Sequence, residues 1–312
     1  MNPRILFMGT PQYATVILKK LIQENFDLIG LFTQEDKKVG RKQIITAPHI
    51  KQYIIDNSIN IPIFQPKNLK EKGMKEIIMA LRPDMIIVAA YGQILPQEIL
   101  DIAPCVNLHA SLLPKYRGAS PIQQCLLNKD KYTGVTAMNM EKGLDSGDIL
   151  ALKYLKIEPF MDLEYLFNTL ATLAADLTVD ILKNYSNINP KKQNTSKVSF
   201  CGKITKEDGQ IEFDDANEIL AKYKAYKFWP GLYLKNGIKL KVLELNENYS
   251  LNKKGEILEI NKDNIIIACE IGSLKISMLQ QPSKKAVSAM DFIRGSRLQV
   301  GDILKVNWLL IF

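Results

Sequence analysis

The chain has 312 residues, of which 46% are hydrophobic and 24% are charged, as in a folded protein with room for two domains. Apolar runs such as MIIVAAY at 85–91 are far shorter than the roughly 20 residues of a membrane span. Its strand-like N-terminus predicts no signal peptide. The four cysteines are scattered and form no C-x-x-C pair, which predicts a cytoplasmic protein with no bound metal and no disulfide framework; they are Cys105, Cys125, Cys201 and Cys269.

The net charge of +8 at neutral pH is compatible with a polyanionic partner such as nucleic acid. The sequence is also rich in lysine throughout, which gives the same excess without any partner. Charge alone therefore leaves both interpretations open.

The first 185 residues alternate short apolar runs with helical patterns. The apolar runs predict buried strands of a mainly parallel sheet at 4–9, 28–33, 85–90 and 105–110. Helical patterns lie between and after them, at 11–24, about 48–57, about 70–80 and 119–128. Further strands are predicted near 134–140 and 148–157, followed by a long amphipathic helix within 161–185. This order predicts an α/β fold with a doubly wound, Rossmann-like sheet.

The composition changes after Tyr185. Residues 186–206 are polar and predict a basic linker, since five lysines and no acidic residue lie between Lys191 and Lys206. Beyond it, DDANEILAKYKAY predicts a helix with an aspartate cap, and alternating runs around an Asn236–Gly237 turn predict antiparallel strands. We expect a domain at 1–185, a linker at 186–206, and a small β-rich domain at 207–312, either an OB-like barrel or a sandwich.

The turn after the first strand, FMGTP at 7–11, argues against a nicotinamide cofactor. Only the first glycine of a G-x-G-x-x-G fingerprint is present, and Pro11 occupies the turn. No strand is followed by a phosphate-binding lysine loop either.

The stretch VNLHASLLPKYRGASPIQ at 106–123 carries the first chemical signal. Asn107 and His109 are two residues apart on a predicted strand, so their side chains lie on one face. They also lie at the strand's carboxyl end, where open α/β sheets bind ligands. A buried, hydrogen-bonded core histidine fits the same pattern, so the motif alone does not decide.

A second candidate is EKGLDSGDIL at 141–150, where Gly143 and Gly147 flank Asp145. Alone, such a loop is an ordinary turn; together, Asn107, His109 and Asp145 suit the transfer of a one-carbon acyl group to an amine. Asparagine and histidine N–H groups stabilise the oxyanion, and the carboxylate supports the histidine and the proton transfer. Because the amine attacks directly, no serine or cysteine nucleophile is required.

These motifs, VNLHASLLPKYRGASPIQ with GLDSGD, resemble the signature of the folate-dependent formyltransferases. FMGTPQYA, FTQEDKKVGR, VAAYGQILP, KITKEDGQIEF, FWPG and QPSKKAVSAMDFIRG continue the resemblance along essentially the whole chain. The fuller match is to those members that formylate methionine on initiator tRNA, using 10-formyltetrahydrofolate as co-substrate without a metal. The resemblance implies that Asn107 and His109 bind the formyl oxygen and that Asp145 supports the histidine and the proton relay.

The same resemblance assigns the binding residues. The folate pocket would be lined by Ser111, Leu112, Leu113 and Pro114. Contacts with tRNA would come from the loop after the second strand, the linker and the residues after about 207; the basic residues concerned are Lys37, Lys38, Arg41, Lys42, Lys203 and Lys206. We expect a monomer.

Two other functions stay open at this point. One is a formyltransferase acting on a small amine, against which the basic linker and the second domain argue. The other is a non-catalytic RNA-binding protein that retains the fold, against which the intact set of Asn107, His109 and Asp145 argues.

Overall fold

The computed structural model describes residues 2–40, 42–246 and 253–304, and the chain forms two compact units. Unit 1 comprises Met1–Ile122, Lys131–Pro159 and Tyr165–Gly202. Unit 2 comprises Gln123–Asp130, Phe160–Glu164 and Lys203–Phe312.

Up to Asn184, the described residues contain ten strands and six helices. The strands are β1 (Arg4–Gly9), β2 (Asp27–Phe32), β3 (Lys37–Val39), β4 (Ile44–Thr46), β5 (Ile63–Phe64), β6 (Met85–Ala89), β7 (Cys105–His109), β8 (Arg117–Gly118), β9 (Tyr132–Asn139) and β10 (Ile149–Lys156). The helices are α1 (Gln12–Gln23), α2 (His49–Asp56), α3 (Met74–Leu81), α4 (Gln97–Leu100), α5 (Pro121–Leu127) and α6 (Leu163–Asn184).

Seven of these strands form the main sheet, in the order β10-β9-β7-β6-β1-β2-β5. The five strands from β7 to β5 pair in parallel, whereas β9 and β10 pair antiparallel. The predicted mainly parallel α/β sheet is therefore confirmed. Its parallel strands are almost continuously apolar because helices cover a doubly wound sheet on both faces.

The predicted long helix is α6, and its apolar stripe is buried as expected. Leu166, Leu170 and Leu177 of the stripe are at most 2% exposed. Phe167 meets Tyr13 of α1 edge to face, with ring centroids 6.0 Å apart.

The loop after β2 contains more structure than the sequence predicted. Lys37–Val39 and Ile44–Thr46 pair antiparallel as a hairpin whose residues are exposed. Strands of three residues with no alternation give no sequence signal.

The polar segment after α6 is partly bonded within unit 1. Residues 191–202 include a further short strand, β11 (Phe200–Cys201), which pairs in parallel with β8. The predicted linker thus contains a structured portion before residue 203, although its boundaries at 186 and 206 stay a prediction.

Unit 2 is built on antiparallel strands. Its further elements are β12 (Gln210–Ile211), α7 (Ala216–Ala225), β13 (Leu232–Leu234), β14 (Lys239–Asn246), β15 (Ile257–Ile260), β16 (Ile265–Ala268), β17 (Ser273–Gln280), β18 (Ala286–Ser288) and α8 (Ala289–Ser296). The sheet has the order β12-β13-β14-β17-β16-β15, with β18 on β17, and only the β12–β13 pairing among these is parallel.

Two local predictions in unit 2 are confirmed. The carboxylate of Asp215 caps α7 by accepting from the backbone N–H groups of Asn217 and Glu218. Gly237, at φ +81°, lies in the turn between β13 and β14. The described pairings run as an open path, so closure into a barrel stays a prediction.

Among the described residues, one helical stretch, Leu163–Asn187, has the length and apolar composition of a membrane span. Of its most apolar window, 56% is buried inside the structure, as for the core helix of a globular protein.

Candidate active site

Strand β7 places Asn107 and His109 on one face of the sheet, as the sequence predicted. Val106 and Leu108 are buried on the alternate positions. His109 is the last residue of the strand and pairs with Thr136 of β9, while Asn107 pairs with Met138. His109 is 6% exposed and Asn107 is half-buried, so both side chains at the carboxyl end of β7 are largely shielded from solvent.

The contacts of His109 assign the positions of its protons. Its Nε2 lies 2.8 Å from the carbonyl oxygen of Tyr116, which can only accept, so Nε2–H donates this bond. Its Nδ1 lies 3.7 Å from Oδ2 of Asp145. Neutral His109 therefore presents a lone pair at Nδ1, and it presents an N–H there only as the imidazolium.

Asp145 is placed beside both strand residues, as the catalytic interpretation of the GLDSGD loop requires. Its Oδ1 lies 3.4 Å from the Asn107 amide nitrogen, and its Oδ2 accepts from the backbone N–H of Gly118 at 2.8 Å. The Asp145 side chain is 14% exposed. Two carboxylate oxygens with separate donors hold the group in one orientation.

The loop that carries Asp145 needs glycine and a left-handed backbone. A Cβ at Gly147 would overlap the carbonyl oxygen of Asn139, so the chain could not approach β9 with any other residue there. Asp145 itself has φ +46°, a conformation that aspartate tolerates better than most residues.

The predicted folate segment at 111–114 follows β7 directly and is fixed from within. Ser111 is 1% exposed, and its hydroxyl donates to the carbonyl of Lys115 at 2.6 Å. The Thr136 hydroxyl donates to the Ser111 carbonyl at 2.6 Å and accepts from the Leu113 N–H at 3.0 Å. Since the Ser111 hydroxyl bonds within the loop, this residue shapes the loop, while Leu112 and Pro114 are the partly exposed members of the segment.

The thiols near this site are suited to packing rather than to nucleophilic attack. Burial raises the pKa of Cys105 to about 12 and also raises the pKa of Cys201, so both stay protonated at neutral pH. This agrees with direct attack by an amine, for which no covalent enzyme intermediate is required.

The predicted tRNA residues lie in two places. Lys37, Lys38 and Lys42 are exposed on or beside the β3–β4 hairpin of unit 1, whereas Arg41 lies outside the described residues. Lys203 and Lys206 are exposed at the start of unit 2.

A polar cluster anchors the base of the hairpin. Lys51 of α2 contacts both carboxylate oxygens of Asp36 at 2.9 Å, and the Gln65 amide donates to Asp36 and to the Gln34 carbonyl. Hydrogen bonds from Gln65 and Lys51 hold the pKa of Asp36 below its usual range. These contacts therefore hold residues 34–36, from which the hairpin begins, in place.

A cavity of about 430 Å³ lies in unit 2 and contains none of the predicted catalytic residues. Its lining includes four carboxylates, from Glu212, Asp214, Asp215 and Glu218. Such a lining is unfavourable for a polyanion.

The chain matches two family profiles and closely similar relatives. The profile described as "Formyl transferase" matches residues 3–182, and "Formyl transferase, C-terminal domain" matches residues 203–297. "Methionyl-tRNA formyltransferase" of a Nitratiruptor species is 53% identical over 96% of this chain and 99% of its own. The chain belongs to the methionyl-tRNA formyltransferase family. The protein of that name from Campylobacter lari is 51% identical, over the same shares of both chains.

Solved structures show the same fold beyond this family. The structure of "WlaRD, a sugar 3N-formyl transferase in the presence of dTdp and 5-N-Formyl-THF" superposes with a TM-score of 0.66 at 19% identity. The match covers 91% of this chain and 100% of that one. A sugar formyltransferase studied with a folate derivative thus shares the fold over most of this chain, including most of the second unit.

The structure adds residues to the candidate active site that the sequence did not predict. The carbonyl of Tyr116 and the N–H of Gly118 contact His109 and Asp145, and the Gln193 side chain contacts both Arg117 and the Asp145 loop. Tyr116–Gly118 lie inside the quoted motif, but backbone contacts have no sequence signature. Gln193 lies in the segment predicted as linker, where no periodicity marks a buried residue.

Proposed function

We propose that this chain transfers the formyl group of 10-formyltetrahydrofolate to the α-amino group of methionine on initiator methionyl-tRNA, with Asn107, His109 and Asp145 at the reacting centre. The identities of 53% and 51% with methionyl-tRNA formyltransferases over nearly the whole chain support the substrates. The observation that carries the chemistry is the convergence of an amide, an imidazole and a carboxylate within 3.4 to 3.7 Å at the end of β7.

The reaction begins when the neutral α-amine attacks the formyl carbon. A new N–C bond forms, and the carbonyl electrons move to oxygen, giving a tetrahedral oxyanion. An amide nitrogen carries two hydrogens, so Asn107 has a second N–H for this oxygen beside the one directed at Asp145. Each such donor is worth roughly 10² to 10³ in rate.

His109 acts as its imidazolium in this scheme. Nε2–H is engaged with the Tyr116 carbonyl, so only a proton on Nδ1 provides a donor toward the substrate side. The Asp145 carboxylate 3.7 Å away stabilises that charge.

The second step breaks the bond between the formyl carbon and N10 of the folate. The attacking nitrogen loses a proton and N10 gains one, so one proton moves between the two nitrogens. Asp145 supports this transfer, since a carboxylate beside the reacting atoms accepts a proton and returns it without net change.

Binding of the co-substrates is assigned to separate elements. The folate would contact the segment 111–114, mainly through its partly exposed Leu112 and Pro114. Phosphates of the tRNA would contact Lys37, Lys38, Arg41 and Lys42 of the hairpin, then Lys203 and Lys206 and the β-rich domain from 207 onward. We further infer a cytoplasmic monomer, with the domains bounded at 185 and 207.

Incubation with methionyl-tRNA and 10-formyltetrahydrofolate tests the proposal. We expect formylmethionyl-tRNA and tetrahydrofolate in equal amounts, with no added metal. An amino-sugar nucleotide offered in place of tRNA serves as the competing acceptor. Formylation of the sugar but not of the tRNA would establish the small-amine function instead, and no transfer to either would contradict a formyltransferase.

A further inference from the structure

We propose that Gln193 is a positioning residue for this reaction, holding the two segments that orient His109 and Asp145; the role rests on the proposed function. The inference concerns residues 116–118 and 145–147, which are far apart in sequence and meet at the site. Gln193 lies between them on the segment after α6 and is 8% exposed.

All four hydrogen bonds of the Gln193 side chain are made with the catalytic segments. Its Nε2 donates to the carbonyls of Asp145 and Gly147, both at 2.8 Å. Its Oε1 accepts from Nε of Arg117 at 3.1 Å and from Nη2 at 2.8 Å. Because carbonyls only accept and a guanidinium only donates, the chemistry fixes which end of the amide faces which partner.

Residues 116–118 show why this bridge bears on catalysis. The Tyr116 carbonyl accepts from His109, the Arg117 side chain donates to Gln193, and the Gly118 N–H donates to Asp145. Tyr116 has φ +61° and Gly118 has φ +121°, so both peptide groups are presented from left-handed backbone. For a non-glycine residue such as Tyr116, this conformation persists only where surrounding contacts hold it.

The segment that carries Gln193 supports residues 116–118 a second time. The Ser199 carbonyl accepts from the Arg117 N–H at 2.9 Å, and the Ser199 hydroxyl accepts from the Tyr116 N–H at 3.0 Å. A Cβ at Gly118 would overlap the Cys201 carbonyl, so β8 and β11 are in close backbone contact. The segment predicted as linker therefore helps to hold residues 116–118, which contact His109 and Asp145.

Neither glutamate nor asparagine can make all four of these bonds. Glutamate has the same length and keeps an acceptor for Arg117, but it turns a carboxylate oxygen toward the carbonyls of Asp145 and Gly147 in place of two donors. Asparagine is one methylene shorter and cannot reach both sides. Gln193→Glu therefore removes the bond to the Asp145 loop while leaving the bond to Arg117 possible.

The experiment compares Gln193→Glu with Asn194→Asp in steady-state formylation of methionyl-tRNA. Asn194→Asp adds the same charge one residue along and keeps the side-chain oxygen that accepts from Ser196. We expect Gln193→Glu to lower kcat about 10- to 100-fold, because a shift of about 1 Å in a catalytic group costs about that much. The KM values for tRNA and folate should stay within about twofold of wild type, and Asn194→Asp should keep the wild-type kcat.

A readout independent of activity is amide hydrogen exchange at Gly118. Its N–H donates to Asp145, so displacement of the Asp145 loop in Gln193→Glu should speed this exchange relative to both wild type and Asn194→Asp. Arg117→Lys keeps the charge but loses the two-nitrogen contact, and its loss of kcat should not add to that of Gln193→Glu.

Wild-type kcat and unchanged Gly118 exchange in Gln193→Glu would overturn the positioning role, as would an equal loss in Asn194→Asp. If Gln193→Glu does not fold, Arg117→Lys decides by the same two measurements. If wild-type protein forms no formylmethionyl-tRNA, the proposed function fails, whereas Gly118 exchange still reports whether Gln193 holds the Asp145 loop.

Discussion

Replacement of Asp145 by asparagine removes the negative charge beside His109 and keeps the shape of the side chain. The asparagine oxygen can still accept from the Gly118 N–H, which lies 2.8 Å from Oδ2 in the wild type. Its amide nitrogen then takes the place of Oδ1 and cannot accept from the Asn107 amide, so the variant tests the contacts of the carboxylate with both His109 and Asn107. Its structure should be retained, as judged by an unchanged circular dichroism spectrum.

The distance between the two groups sets the size of the effect. Unit charges at the observed 3.7 Å attract by about 4 kcal/mol at an effective dielectric constant of about 20. Burial of the His109 and Asp145 side chains, which are 6% and 14% exposed, offsets part of that attraction. We take about 2 to 3 kcal/mol as the part that stabilises the imidazolium in the transition state, which predicts a loss of about 100-fold in kcat.

The assay is kcat for formylation of methionyl-tRNA at one near-neutral pH. Asp148→Asn, in the same loop, provides the matched control and should keep the wild-type rate. An Asp145→Asn enzyme with normal kcat would refute the role given to the carboxylate.

Three further predictions concern the catalytic pair, the affinity for tRNA and the predicted folate segment. Asn107→Ala and His109→Ala should each lower the transfer rate by at least about 100-fold, and near-normal turnover in either would remove it from the catalytic set. Affinity for tRNA should fall steeply with salt, with a logarithmic slope of roughly −4 if the described lysines each neutralise one phosphate, whereas a flat response would point to a small acceptor. Thr136→Val should lower the free energy of unfolding by about 2 kcal/mol and raise the folate KM, since the buried Ser111 carbonyl and Leu113 N–H lose their partner; wild-type stability and folate KM would contradict this.

The catalytic strand was predictable from sequence because its signal is local. Because side chains alternate between the two faces of a strand, Asn107 and His109 lie on one face regardless of the rest of the fold. The glycines around Asp145 indicate a tight loop. The same holds for the aspartate cap at Asp215 and the turn at Gly237.

The orientation of His109 was not predictable, because it depends on a carbonyl presented by the left-handed residue Tyr116. Aromatic residues rarely adopt that conformation, and nothing in YRG signals it. Gln193 was missed for a different reason. Its burial is set by contacts with residues 76 and 48 positions away, whereas composition described its surroundings as an exposed linker.

The second unit does not by itself identify a nucleic-acid acceptor. The fold shared with the sugar formyltransferase extends over 91% of this chain, so a second domain is compatible with either class of acceptor. We therefore expect the choice between a tRNA and a sugar acceptor to depend on the arrangement of charged residues on the surface. A nucleotide-linked sugar has two phosphates to bind, whereas a tRNA backbone would offer a row of phosphates to lysines such as the exposed Lys37, Lys38 and Lys42. The measurement is the slope of the logarithm of the binding constant against the logarithm of the salt concentration. If the magnitude of this slope decreases by about one for each of these lysines replaced, the acceptor is a tRNA, because the number of counterions released depends on the number of phosphates contacted and not on the fold of the protein.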